Sequence, residues 1–144
     1  MLSKKAKYGL KALIRLGQER GKGPMLISEL AKKERIPQKF LESILLDLKN
    51  QGILESRRGK GGGYMLALPP DEIFLGNVIR RLEGPLALVP CASVTAYRPC
   101  DDCVDERSCG IRLVMKQVRD ATARILDETT LADLLRRSRA ARRH

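Results

Sequence analysis

LISELAKKERIPQKFLESILLDLKNQGILESRRGKGGGYMLAL, residues 26–68, is the stretch whose reading decides the fold. From Pro37 to about Asn50, the apolar residues Phe40, Leu41, Ile44, Leu45 and Leu48 recur at intervals of three and four. That spacing makes the buried stripe of an amphipathic helix. Pro37 suits the first turn, where its missing N–H would have no helical partner. A shorter helix precedes it over 26–35, with Ile27, Leu30 and Ala31 inward and Glu29, Lys32, Lys33 and Glu34 toward water. Gln51-Gly52 ends the longer helix. Ile53–Ser56 and Tyr64–Leu68 then read as two strands joined by a turn rich in cations and glycine, Arg57 to Gly63. Two helices followed by a basic-tipped hairpin give the order of a winged helix-turn-helix, once a first helix is added in front.

That first helix runs from Ser3, its N-cap, to about Glu19, with Ala6, Leu10, Leu13 and Gly17 as the inward stripe. Gly21, Gly23 and Pro24 break it. After Pro69-Pro70, a fourth helix over 75–83 turns Leu75, Val78, Ile79 and Leu82 inward and stops at Gly84-Pro85. Residues 86–110 have no periodicity. A long helix over 111–127 presents Met115, Val118, Thr122 and Ile125, a coiled-coil-like seam. Thr130 with Asp133 forms a capping box for a last short helix. The chain is therefore expected to be mainly α with a small β-hairpin wing. Its expected parts are a winged helix-turn-helix over 1–84, a cysteine-bearing loop over 85–110, a dimerisation helix and short terminal helix over 111–135, and a disordered basic tail over 136–144.

Charge supports the same organisation. Residues 1–68 carry 15 basic and 6 acidic side chains (+9), residues 69–135 carry 8 and 11 (−3), and residues 136–144 add five arginines, which sums to the net +11. A basic first half beside a mildly acidic middle is the footprint of a polyanion-binding module joined to another part. No apolar run approaches the roughly 20 residues that cross a bilayer, and the N-terminus lacks a signal-peptide apolar stretch, so a cytoplasmic protein without a membrane partner is expected.

In helix-turn-helix geometry the second helix of the pair enters the major groove by its N-terminal turns. That presents Gln38, Lys39, Glu42 and Ser43 to base edges. Gln bonds adenine in bidentate fashion, Lys suits guanine or phosphate, and Glu accepts from the cytosine amino group. Glu42 would repel phosphates, so it contributes discrimination more than affinity; the alternative is ordinary helix-surface charge. At the wing, Arg57, Arg58 and Lys60 offer charge to phosphates or a narrow minor groove, while Gly59 and Gly61 let the backbone come close.

SKKAKYGLKALIRL, followed by ISELAKKERIPQKFLESILLDLKNQGILESRRGKGGGYMLALPPDEIFLGNVIRRLEGPL, resembles the Rrf2 family of bacterial transcriptional regulators, and the likeness continues to Leu134. The resemblance implies a homodimer with crossed C-terminal helices that binds a pseudo-palindromic double-stranded operator. It also implies that Glu42 sets specificity and that Arg58, Gly59 and Gly61 contact DNA from the wing.

The four cysteines all lie in the loop, spaced Cys91-x8-Cys100-x2-Cys103-x5-Cys109. Thiolates are soft ligands suited to iron–sulfur clusters and zinc, and clustering without a secretory signal points to metal or redox chemistry. Many members of the resembled family hold an iron–sulfur cluster on three cysteines in this loop. Only the last interval here matches that pattern. Where some relatives use a His as fourth ligand this chain has Arg112, and where others use an acid in the first helix it has Lys7. The simplest resolution is an all-cysteine 2Fe–2S or 4Fe–4S site. Zinc ranks behind it, as do a metal-free Cys100–Cys103 disulfide switch and vestigial cysteines. Asp101, Asp102, Asp105 and Glu106 are expected to form a solvated rim that raises the thiol pKa values slightly. An enzyme is disfavoured, because no βαβ pattern surrounds Cys100-x2-Cys103 and the only His is terminal His144.

Overall fold

The structure, a computed structural model, describes residues 2–142. Six helices and one two-stranded antiparallel sheet follow in the order α1 (Lys4–Gln18), α2 (Ile27–Glu34), α3 (Gln38–Asn50), β1 (Leu54–Arg57), β2 (Gly63–Leu66), α4 (Leu75–Glu83), α5 (Gly110–Glu128) and α6 (Leu131–Arg142). Short 3₁₀ turns at Pro70–Glu72 and Pro90–Ala92 join them. This is a mainly helical winged helix, as the sequence predicts. No helix among the described residues is long and apolar enough to cross a membrane.

Helix α1 lies at the centre and packs against α2, α3, α4, α6 and β2. Ser3 caps it, its hydroxyl accepting from the Ala6 N–H at 3.1 Å. Because α1 has neighbours on several sides, its buried set is Ala6, Gly9, Ala12, Leu13 and Leu16 rather than the single stripe expected, and Leu10 and Gly17 are only half-buried. A Cβ on Gly9 would sit 2.3 Å from Leu82 Cδ1 of α4, so the α1–α4 crossing depends on the missing side chain. Leu30, Leu41, Ile44, Leu45, Leu48, Leu54, Val78 and Leu131 join this core from the other elements, each with almost no exposure.

The hairpin pairs Leu54 with Leu66 and Arg57 with Gly63, so each strand is offset by about one residue from its expected position. A third partner was not legible: Met25, just before α2, exchanges two backbone hydrogen bonds of 2.8 Å with Tyr64. Gly63 sits at that junction with φ 144°, and a Cβ there would lie 2.2 Å from the Met25 carbonyl oxygen. Pro37 stands one place earlier than expected, as the N-cap residue of α3.

The end of the chain departs most from expectation. The last helix returns to the winged-helix core, with Leu131 fully buried and Leu135 covering Gly17 of α1. Its start is fixed by the capping box: the Asp133 N–H donates to Thr130 Oγ1 at 3.1 Å and the Thr130 N–H donates to Asp133 Oδ2 at 2.9 Å. The Thr130 N–H, with the Thr130 hydroxyl at 3.1 Å from the same oxygen, holds the Asp133 carboxyl below the usual carboxylate range. Nucleated there, α6 continues through good helix formers to Arg142. Residues 136–142, expected as disordered tail, are therefore helical; Arg143 and His144 lie outside the described residues.

Helix α5 leans on α4 through Arg80, whose Nη1 and Nη2 donate to the two Asp127 oxygens at 2.7 and 2.8 Å. This pairing raises the Arg80 pKa and lowers that of Asp127. A depressed carboxylate contributes stability above its unfolded pKa and loses it as pH falls through the folded value. Asp127→Asn is expected to cost about 0.5–1 kcal/mol at pH 7, a figure discounted for solvent exposure. Thermal melts should show the variant and wild type converging as the pH falls below the ordinary carboxylate range of about 4. Gly9→Val is expected to cost about 1–3 kcal/mol in urea unfolding, by forcing α1 and α4 apart.

Candidate nucleic-acid interface and cysteine cavity

The corner between α2 and α3 is built by an α-helical C-cap that reverses the chain. The Arg35 N–H and the Ile36 N–H both donate to the Ala31 carbonyl, and Ile36 is buried behind them. Helix α3 then starts without a side-chain cap. Its core face is sealed by Leu41, Ile44, Leu45 and Leu48. Gln38, Lys39, Glu42 and Ser43 all point to solvent, and so does Leu46 at 50% exposure. Leu46 was missed because it lies within the run Ile44-Leu45-Leu46, which gives no sign of which residue turns outward. The Ser43 hydroxyl donates to the Phe40 carbonyl at 2.9 Å, leaving its oxygen free as an acceptor.

The wing carries Arg57, Arg58, Gly59, Lys60 and Gly61, all exposed. Gly59 and Gly61 have φ 86° and 78°, and the Gly62 N–H closes the turn on the Gly59 carbonyl at 3.0 Å. None of Lys39, Arg57, Arg58 or Lys60 enters an ion pair among the described residues. The predicted residues of helix and wing are thus solvent-facing, and the cations among them are uncompensated.

The four cysteines line one cavity of about 510 Å³, together with Val89, Val104, Ile111 and Arg112. Cys91 is buried in the turn Pro90–Ala92, Cys100 and Cys109 are half-buried, and Cys103 is exposed. Cys109 is also the N-cap residue of α5. The Cys100 thiol lies 3.7 Å from Cys91 Sγ. The thiol partner of Cys100 is thus Cys91, where the sequence suggested Cys103. The contact with Cys91 pushes the Cys100 pKa up, with desolvation next; for Cys103, desolvation leads, followed by Cys109 and Glu106. For Cys100 and Cys103 the shift is upward as expected, but the rim acids are its lesser cause.

Glu106 is not part of a solvated rim. It pairs with Arg112 at 3.1 Å and accepts a short hydrogen bond from the Tyr97 hydroxyl. Arg112 Nε also lies 3.2 Å from the Cys91 carbonyl, which it can reach as a donor, so this side chain ties the start of α5 to the turn that carries Cys91. Among the described residues no three His, Cys, Asp or Glu side chains converge on a point that would suit one metal ion. A polynuclear group takes soft thiolate donors, and this cavity offers four, with the Asp102 and Asp105 side chains lining it beside Arg112 and the apolar residues.

The profile of the Rrf2 family, described as iron-dependent transcriptional regulator, matches residues 2–137. The chain belongs to the Rrf2 family. It is similar to an Rrf2-like HTH-type transcriptional regulator of Rhodobacter capsulatus, 44% identical over 138 residues that cover 94% of this chain and 92% of that one. Among solved structures it resembles CymR, the global cysteine regulator of Bacillus subtilis, with TM-score 0.77, 35% identity and coverage of 94% and 95%. It also resembles the IscR of T. potens, with TM-score 0.77, 29% identity and coverage of 98% and 90%. Membership makes the chain a transcriptional regulator with a DNA-binding winged helix, and its relatives are regulators rather than enzymes.

Proposed function

We propose that this Rrf2 protein is a homodimeric, sequence-specific repressor whose DNA affinity answers to an iron–sulfur cluster held by Cys91, Cys100, Cys103 and Cys109. The observation that supports the sensing part is that all four cysteines line one cavity, at the N-cap of α5. When bound, such a cluster supplies one-electron redox chemistry and reactivity toward oxidants or nitric oxide. The protein's own residues do the rest. Arg112 and Glu106 hold the loop on the start of α5, and Arg80 with Asp127 holds the other end of α5 on α4.

Helix α5 supports the homodimer reading. Ile111, Val114, Val118 and Ile125 are 69, 51, 38 and 59% exposed, and Ala123 is the one buried residue of its 19. The spacing of three, four and seven lays these side chains along one seam, which keeps Val118 and Ile125 of the expected set and takes in Ile111 and Val114 beside them. A partner's copy of the same helix would cover it. Two copies would then present two α3 helices and two wings to a pseudo-palindromic duplex, with half-sites about 34 Å apart.

On this reading, Gln38, Lys39, Glu42 and Ser43 face base edges, while Arg57, Arg58, Gly59, Lys60 and Gly61 meet the backbone. Fluorescence anisotropy with duplexes selected by the full chain from a random pool tests the division. Arg58→Ala should weaken selected and unselected duplexes alike by roughly 5–30-fold and lower the log–log salt slope by about 0.9. Glu42→Ala should leave unselected duplexes bound as well or better, while eroding the preference for the selected one. Equal binding by wild type and both variants would remove the DNA-contact assignment.

A second reading is favoured by the 3.7 Å Cys91–Cys100 contact. Without a cluster, hydrogen peroxide would oxidise the pair to a disulfide, the two thiols losing two electrons and two protons and the peroxide leaving as two waters. Anaerobic isolation separates the readings. The cluster reading expects a brown protein with iron and sulfide, its visible bands lost in each of the four Cys→Ser variants. The thiol reading expects colourless protein after reconstitution, with two thiols consumed by peroxide in wild type and Cys103→Ser but none in Cys91→Ser.

A further inference from the structure

Arg35 is the one non-glycine residue with positive φ among the described residues, at 56° with ψ 48°. Side chains disfavour this left-handed conformation because Cβ crowds the following carbonyl, and helix C-caps usually place glycine there. The conformation is imposed from both sides. The Arg35 and Ile36 N–H groups satisfy the Ala31 carbonyl, and Ile36 must turn into the core. A glycine would meet these demands without strain, yet the chain carries a long cation. Backbone strain of this kind points to something the side chain supplies.

The charges around the corner show what that is. Its acid, Glu34, is turned inward, where Arg15 Nη2 and Nε meet the carboxylate at 2.8 and 2.9 Å. Lys11 Nζ donates to the Glu34 carbonyl at 2.5 Å, so both polar ends of Glu34 are engaged by α1. Lys33 is paired with Glu29 at 3.1 Å. Arg35 is left exposed and in no ion pair among the described residues, with exposed Lys32 and Lys39 on either side in sequence. It stands three residues before Gln38, where the proposed groove-entering helix begins.

We propose that Arg35 forms a phosphate-binding site at the helix-turn-helix corner, its guanidinium grasping a DNA backbone phosphodiester beside the groove that α3 enters. The strained backbone aims the side chain, and the inward ties on Glu34 remove the carboxylate that would otherwise neutralise it. Arginine suits this task because its planar donors engage two phosphate oxygens at once. The site rests on the DNA-binding reading and adds affinity without sequence preference.

The test compares full-length wild type, Arg35→Gly, Arg35→Gln and Arg35→Lys, each bound to a selected and to a random-sequence duplex across a salt series. Stability and affinity should move in opposite directions for Arg35→Gly. Its thermal midpoint should rise by roughly 2–4 °C, while both duplexes bind about 3–10-fold more weakly and the log–log salt slope falls by about 0.9. Arg35→Gln keeps the backbone strain and should show the same binding loss without the stability gain. Arg35→Lys should retain the slope. If the wild type binds with its full salt slope and Arg35→Gly and Arg35→Gln match it, the phosphate site is wrong while the DNA reading stands. If the wild type ignores both duplexes, both fall together.

Discussion

Helix α5 is fastened to the rest of the molecule near its two ends, and the two fastenings differ in kind. At the C-terminal end the chain is stitched to its own core: the Leu75 N–H donates to the Thr129 carbonyl at 2.9 Å and the Leu131 N–H to the Ile73 carbonyl at 2.8 Å. Leu131 then drops into the core with no exposed surface, and the Arg80–Asp127 pair braces the last turns of α5 against α4. At the N-terminal end there is no comparable apolar anchor. Ile111, Leu113 and Val114 are all more than half exposed, and the start of the helix is held by Cys109, Arg112, Glu106 and the turn around Cys91. One end is thus fixed by packing and backbone bonds, the other by polar ties beside four thiols.

Much of this architecture could be read from the sequence, for a clear physical reason. Helix α3, helix α4 and the hairpin each bury one face, so their periodicity states which side is inside. The Thr130–Asp133 box is a local motif and appears as expected. What escaped was long-range or one residue wide. Gly9 carries no apolar side chain, yet it is buried because α4 brings Leu82 against it. The Met25–Tyr64 bridge is a single residue pair with no period to detect. The exposed seam of α5 keeps Val118 and Ile125 of the expected one but not Met115 and Thr122, which are half-buried; Thr122 lines a groove with Ile79 and Leu126 that the sequence gives no means of foreseeing.

The cysteine loop was legible in composition and illegible in geometry. Soft donors in a stretch without periodicity marked the place. Their pairing depended on the turn at Pro90–Ala92, which buries Cys91 and sets it against Cys100, and on Arg112, whose sequence position suggested only that it could not be a ligand. Its role in the fold is to join the Cys91 backbone to α5. Glu106 likewise reads as rim charge, because its partners Arg112 and Tyr97 lie six residues ahead and nine behind it.

The packing also limits how a signal at the thiols could alter the DNA-binding face. Helices α1, α2, α3, α4 and α6 and the wing contribute to a single core cluster that includes Leu13, Leu30, Ile44, Leu48, Val78 and Leu131. Opening a gap beside even one such residue costs about 2–5 kcal/mol. Couplings between sites in proteins are typically about 1–3 kcal/mol. A coupling of that size is too small to reshape the winged helix internally. On the proposed sensing role it would act instead on the polar ties at the start of α5, where that helix has the least packing. In a dimer joined along α5, a shift of that helix would change the separation of two otherwise rigid reading heads, and a duplex with half-sites at fixed spacing is sensitive to that separation.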